Sequence, residues 1–122
     1  MSASRPLVTG ATVALALAAA PAADAASVES FRASASGSAI EYRIVLCAPV
    51  GSRVVFTTRL DARRGPTYVL TPWTGRQEHP CPTWRYTEPD RFPSGRYTTQ
   101  VGIEVDGKRL RTPRVSIVLP KR

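Results

Sequence analysis

The sequence predicts an all-β fold, a single antiparallel sandwich of about seven strands. Apolar and polar residues alternate with period two over most of residues 26–122, and Gly, Pro, Ser and Asp separate the alternating runs. None of these runs carries a sustained helical repeat. The segment is long enough for one hydrophobic core and too short for two, so we expect one domain.

Four strands are predicted before residue 80. The first covers 28–35 and ends at a Ser-Gly-Ser turn, and the second, over 39–47, alternates most clearly. A third covers 53–60, and a short fourth covers 67–71 after a loop, whereas 72–80 lacks a pattern and is expected to be irregular. The inward residues of the second and third strands are apolar: Ile40, Tyr42, Ile44, Leu46, Val54, Phe56 and Leu60.

A hairpin is predicted near the end of the chain. Asp106-Gly107 lies between two alternating runs, which is the signal of a two-residue hairpin turn. In the resulting register Glu104 faces Arg109 on one side of the sheet, and Ile103 faces Leu110 on the other. The hairpin therefore has one polar and one apolar face.

The alternation changes parity at Pro113-Arg114. This predicts a bulge in an edge strand, where the missing donor of a proline costs least. Beyond the bulge the inward residues become Val115, Ile117 and Leu119.

The segment Phe92-Pro93-Ser94-Gly95-Arg96-Tyr97 precedes this hairpin, with Val101 four residues beyond the tyrosine. It resembles a corner of fibronectin type III and other immunoglobulin-like domains, in which an apolar residue and a proline precede a tyrosine on strand F. The resemblance covers residues 92–119. It implies an immunoglobulin-like sandwich in which Tyr97 donates its hydroxyl to the preceding loop. The chain departs from antibody domains because the third predicted strand carries Phe56 and no tryptophan.

The N-terminus has the three parts of a secretory signal peptide. Arg5 is followed by an apolar run over 7–20 and a small-residue ending, Ala23-Asp24-Ala25. A transmembrane anchor is the alternative, but it needs about 20 consecutive apolar residues, and Thr and Gly interrupt this shorter run. We therefore expect residues 1–25 to be removed and residues 26–122 to be secreted without a membrane span.

Cys47 and Cys81 are the only cysteines. In an oxidising compartment such a pair predicts a disulfide bond. Free thiols, or a metal site with Glu78 and His79, are the alternative, although structural metal sites normally have four ligands. If the second strand and a strand over 83–86 are antiparallel neighbours, the bridge clamps one end of a sheet and leaves the core between the sheets apolar.

The chain is strongly basic, with a net charge of +8 that the loss of Arg5 and Asp24 leaves unchanged. A field of this sign attracts anionic polymers, so an anionic cell-envelope polymer or an extracellular protein is the expected partner. Nucleic acid is not expected, because the chain is exported and its basic residues form no dense block. The alternative is a surface that serves only solubility. We expect a monomer without a cofactor.

Residues suited to catalysis are few. His79 is the only histidine, and no nucleophile-elbow, zinc-binding or phosphate-loop motif accompanies it. Glu88 and Asp90 are a possible acid and base pair. They flank Pro89 in a turn-like segment, however, where carboxylates commonly make local hydrogen bonds. The sequence therefore predicts neither an enzyme nor a metal site.

An aromatic and basic cluster is the candidate binding site, because Trp, Tyr and Arg are the residues that most often anchor interfaces. Trp84-Arg85-Tyr86 is similar to the inhibitory motif of small secreted microbial α-amylase inhibitors, which implies inhibition of a secreted hydrolase through residues 84–92. The competing interpretation places Trp84 and Tyr86 in the core and Arg85 in solvent. We expect a secreted, non-enzymatic binding module, with hydrolase inhibition as the alternative. The candidate residues are Trp73, Trp84, Arg85, Tyr86, Arg91 and Phe92.

Overall fold

The computed structural model describes residues 25–89 and 92–121. These residues form nine strands in antiparallel sheets, which confirms the predicted all-β class. Within this part of the chain no helix is present that is long and apolar enough to span a bilayer. The predicted signal peptide lies almost entirely outside the described residues. The strands are β1 (Ser27–Ser36), β2 (Ala39–Cys47), β3 (Arg53–Ala62), β4 (Thr67–Val69), β5 (Trp73–Arg76), β6 (Thr83–Glu88), β7 (Gly95–Val105), β8 (Lys108–Arg111) and β9 (Val115–Leu119).

The strands form two sheets with one core between them. The smaller sheet has the order β1-β2-β6. In the larger sheet β9, β7 and β3 are successive neighbours, β4 and β5 pair in tandem with the other edge of β3, and β8 pairs with β7. The predicted inward residues of β2 and β3 are all at most 1% exposed, since alternation turns them toward the opposite sheet. The largest part of the remaining core comes from β7 and β9: Tyr97, Val101, Ile103, Val105, Ile117 and Leu119.

The prediction for residues 72–80 was wrong in part. Trp73–Arg76 forms β5, which pairs with Arg53–Phe56 at the start of β3. This pairing is tertiary, because β5 has no alternation of its own that would indicate a strand. The strand also accounts for part of the difference between nine strands and the predicted seven. The third strand, moreover, continues through Ala62, where a loop was expected to have begun.

The predicted hairpin is confirmed. Asp106 and Gly107 have φ angles of +48° and +87°, as a type I′ turn requires. Glu104 pairs with Arg109 and Ile103 with Leu110. The hairpin residues therefore present the faces that the sequence predicts.

The predicted bulge is also present. The hairpin register would place Arg114 opposite Thr99, but Val115 pairs with Thr99 instead, so one extra residue is accommodated at Pro113-Arg114. β9 lies at the edge of the larger sheet, and its residues Ile117 and Leu119 are buried.

A disulfide bond joins Cys47 and Cys81, whose Cα atoms are 4.1 Å apart. β2 and β6 are antiparallel neighbours, with Val45 paired to Thr83. The bridge therefore lies at the end of β2 and just before β6, as predicted. The alternative of free thiols or metal ligands is wrong for these two residues.

Candidate binding site

An aromatic stack lies behind the candidate cluster. The rings of Tyr42 and Tyr86 stack with centroids 5.0 Å apart, because these residues are cross-strand partners in β2 and β6. Phe31 extends the stack at 6.3 Å from Tyr42, and Trp73 packs on Tyr86 at 5.1 Å. Tyr86 is only 6% exposed and is therefore a core residue.

The two tyrosine hydroxyls tie the sheets together. The Tyr42 hydroxyl lies 2.8 Å from Thr99 Oγ1, and since Thr99 donates to the Arg59 carbonyl at 2.9 Å, Tyr42 is the donor of this pair. The Tyr86 hydroxyl is bonded to Thr58 Oγ1 at 2.7 Å. Burial raises the pKa of Tyr42 to about 12 and raises the pKa of Tyr86 well above its ordinary value. Both phenols therefore stay protonated and bonded over a wide pH range.

Trp84 is also turned inward. Its ring packs on Phe56 with centroids 5.1 Å apart and lies so close to Gly75 that a Cβ there would be 2.7 Å from the ring. Its Nε1 donates to Gln77 Oε1 at 3.0 Å. The Gln77 amide nitrogen in turn donates to the Leu46 carbonyl at 2.7 Å, and Gln77 is 1% exposed. Nothing in the sequence around Gln77 predicts this role, because the residue lies in a segment without alternation.

Trp73 is the aromatic residue of the cluster with an exposed ring, at 43% exposure. Its Nε1 donates to Glu88 Oε1 at 2.8 Å, and Glu88, at the end of β6, is 8% exposed. The ring is thus held both by this bond and by its tilted packing on the Tyr86 ring. It borders an open groove of about 500 Å³ together with Val69, which is 67% exposed. The other lining residues are Tyr68, Leu70, Thr71, Pro72, Glu88, Pro89 and Phe92. This surface is termed the Trp73 groove.

The fold separates residues that are close in the sequence. Arg85 is exposed on the outer face of β6, while its neighbours Trp84 and Tyr86 face the core. Arg91 lies outside the described residues. The candidate cluster is therefore not one surface: Trp73 belongs to the groove and Arg85 to the outer face of the smaller sheet.

Tyr97 makes the contact that the immunoglobulin-like resemblance implies. Its hydroxyl donates to the Pro93 carbonyl at 2.6 Å, and its ring meets Phe92 edge-on at 6.5 Å. Tyr97 is 4% exposed. This corner fixes the start of β7 next to Phe92, which lines the groove.

The residues considered for catalysis or metal binding are dispersed. His79 and Glu78 are exposed in the loop before Cys81, and the Glu88 carboxylate is bonded to Trp73. Asp90 lies outside the described residues. Over 25–89 and 92–121, no three His, Cys, Asp or Glu side chains lie together in a way that suits a metal ion.

No protein-family model matches this sequence, and no curated protein matches it at a significant level. The likenesses of residues 92–119 and of residues 84–86 therefore stay predictions. What the site can bind has to follow from its own geometry.

Proposed function

We propose that residues 26–122 are a secreted, non-enzymatic binding module that recognises an extracellular protein through the Trp73 groove. The observation that carries the proposal is the exposed and fixed ring of Trp73. A tryptophan offers a large contact area, and the Glu88 bond and the packing on Tyr86 already restrict its rotation. A partner that packs on this ring has little side-chain freedom left to remove, which favours affinity.

The exposure of the apolar side chain of Val69 supports a protein as the partner. Val69 is the most exposed of the large apolar side chains in this groove, at 67%, and lies on β4, a short edge strand. Exposed apolar residues grouped around an aromatic anchor are the usual composition of the centre of a protein interface. An apolar side chain of the partner, inserted beside Trp73, would bury both residues.

A role other than catalysis is supported by the placement of the titratable groups. The Glu88 carboxylate accepts the Trp73 indole proton, and His79 is exposed in the loop before Cys81. Neither arrangement positions an acid and a base on opposite sides of a substrate.

Hydrolase inhibition through residues 84–92 has less support. Tyr86 is buried, and the polar atoms of Trp84 and Tyr86 bond to Gln77 and Thr58 within the protein. Of the tripeptide that resembles the inhibitory motif, Arg85 is exposed, Trp84 is half-buried and Tyr86 is buried. A hydrolase would reach the two aromatic rings fully only if the core opened.

Affinity capture tests the proposal. The processed protein, immobilised on a resin, is offered the secreted proteins and isolated envelopes of the producing organism at low and at high salt. We expect a protein to be retained at both salt concentrations, because apolar contacts are screened little. Val69→Ser and Trp73→Ala should lose it, while Val50→Ser, at a 61% exposed apolar residue outside the groove, should keep it. Because Trp73→Ala also removes packing on Tyr86, Val69→Ser decides the result, and equal retention by Val69→Ser and the unmodified protein would overturn the proposal.

A further inference from the structure

Three arginines form a row across the outer face of the smaller sheet. Arg43 in β2 is the cross-strand partner of Arg32 in β1 on one side and of Arg85 in β6 on the other. Neighbouring strands lie about 4.8 Å apart, so the row spans about 10 Å. All three residues are exposed, and each lies between inward-facing neighbours, so their side chains leave the sheet on the solvent side. These three residues are termed the arginine row.

The row places like charges directly opposite each other, an arrangement that destabilises a sheet. The offset on this face is weak: Glu41 Oε1 lies 3.9 Å from Arg43 Nη2, at the limit of an ion pair. Glu29 lies at the other end of β1, beside the bulge. On the larger sheet, by contrast, Arg59 is paired at 3.1 Å with Asp61. The folded chain thus keeps an excess of positive charge at one place.

We infer that the arginine row binds a linear polymer that carries repeated phosphate groups. Planar guanidinium groups bind phosphate oxygens through two parallel hydrogen bonds, and three of them in line suit several linked anions better than one. A groove of about 380 Å³ borders the β1 side of the row and gives such a chain room beside it. Its lining residues are Phe31, Arg32, Ala33, Ser34, Glu41, Arg43 and Val115. This surface is separate from the Trp73 groove, and the inference does not depend on it.

The surroundings of the row favour a phosphate polymer without bases. Single-stranded nucleic acids are normally held by aromatic side chains on which their bases stack. Among the described residues of β1, β2 and β6, the outward positions next to the row are filled by Ser30, Ser34, Glu41, Val45, Thr83 and Thr87, none of which is aromatic. Phe31 lines the neighbouring groove, but it is half-buried and its ring stacks on the buried Tyr42. The hydroxyl groups are additional donors to phosphate oxygens. An envelope polymer linked by phosphodiesters has the matching chemistry.

The test uses the processed protein and long-chain inorganic polyphosphate as the probe, with affinity measured at about 50 mM and about 300 mM salt. Arg43→Gln should weaken binding about tenfold and reduce the slope of log affinity against log salt by about one. Arg109→Gln is the matched control, because it removes the same charge from a side chain that is 86% exposed in another sheet. Equal losses in both variants, or no binding of polyphosphate at the lower salt, would overturn the inference.

Unfolding and competition experiments complete the test. Arg43→Gln should unfold at the same or a higher urea concentration than the unmodified protein at low salt, because it removes two like-charge contacts. A clearly lower urea midpoint of unfolding would contradict the argument.

Heparin, polyglutamate or oligothymidylate that binds more tightly than polyphosphate would overturn the choice of ligand. Val69→Ser should bind polyphosphate normally, so a failure of the row and a failure of the Trp73 groove are told apart.

Discussion

The hydrogen bond between Tyr42 and Thr99 tests how the two sheets are held together. Thr99→Val keeps the shape of the side chain and removes Oγ1, which accepts from Tyr42 at 2.8 Å and donates to the Arg59 carbonyl at 2.9 Å. Tyr42 is 0% exposed, so its hydroxyl has no access to water. An unsatisfied buried donor costs about 1–3 kcal/mol and a lost hydrogen bond about 1 kcal/mol. We expect Thr99→Val to lower the free energy of unfolding by about 2–4 kcal/mol.

Tyr42→Phe should cost less, about 1 kcal/mol, because Thr99 keeps its bond to Arg59 and no buried donor is left without a partner. The double variant Tyr42→Phe/Thr99→Val replaces both hydroxyls by apolar groups. It should therefore be more stable than Thr99→Val alone by about 1–2 kcal/mol. The expected order of stability is therefore Tyr42→Phe first, the double variant second and Thr99→Val last.

Urea unfolding followed by tryptophan fluorescence, with the disulfide intact, measures all four proteins. The dependence of the unfolding free energy on urea should stay the same, so that midpoints can be compared directly. Thr57→Val, at a half-buried position of β3, is the control and should change stability by less than about 0.5 kcal/mol. If the double variant loses the sum of the two single losses, the hydroxyls are not coupled and the reasoning fails.

Three further predictions concern the core and the bridge. The Cys47–Cys81 bridge closes a loop with a sequence separation of 34 and so restricts the unfolded chain. Replacing both cysteines should lower the free energy of unfolding, measured by urea titration, by about 3.5–4 kcal/mol, and a loss below about 1 kcal/mol would contradict this argument. Burial raises the pKa of Tyr42 from 10.0 to about 12, so the folded chain keeps a proton that the unfolded chain releases. The stability that Tyr42 contributes is complete below about pH 10 and should fall by up to about 3 kcal/mol as the pH rises to about 12; Tyr42→Phe should remove this part of the fall and leave the part due to the raised pKa of Tyr86. Gly75→Ala should lower the free energy of unfolding by about 1–3 kcal/mol, because its Cβ would lie 2.7 Å from the Trp84 ring. Gly102→Ala, whose Cβ would lie 3.8 Å from its nearest neighbour, should be tolerated, and equal effects of the two substitutions on thermal unfolding would disprove the clash.

The sequence predicts those features that local patterns encode. Alternation over 39–47 identifies β2 and its inward residues, because every second side chain of a strand faces the same sheet. Asp106-Gly107 fixes the hairpin register, since the turn type determines which residues are opposite. The bridge between Cys47 and Cys81 follows from the pairing of two neighbouring strands.

Features that depend on long-range register are missed. β5 owes its strand conformation to β3, and Gln77 owes its burial to the Trp84 ring and the Leu46 carbonyl, which the chain brings together from distant positions. The arginine row is the clearest case. Its members are scattered along the chain, so the sequence shows no dense basic block, and two strand registers are needed to align them. A charge cluster across strands is visible only when the pairing is known.

Strand β6 contributes to both proposed surfaces, and its alternation keeps them independent. Arg85 leaves the sheet outward into the arginine row, whereas Tyr86 points inward and supports the Trp73 ring, and Glu88, on the same side as Tyr86, holds the indole nitrogen. A change at Arg85 therefore leaves the groove intact, and a change at Val69 leaves the row intact. If Arg85→Gln weakened protein capture by the groove as strongly as Val69→Ser does, the two surfaces would have to be one site, and the separation of their partners would be wrong.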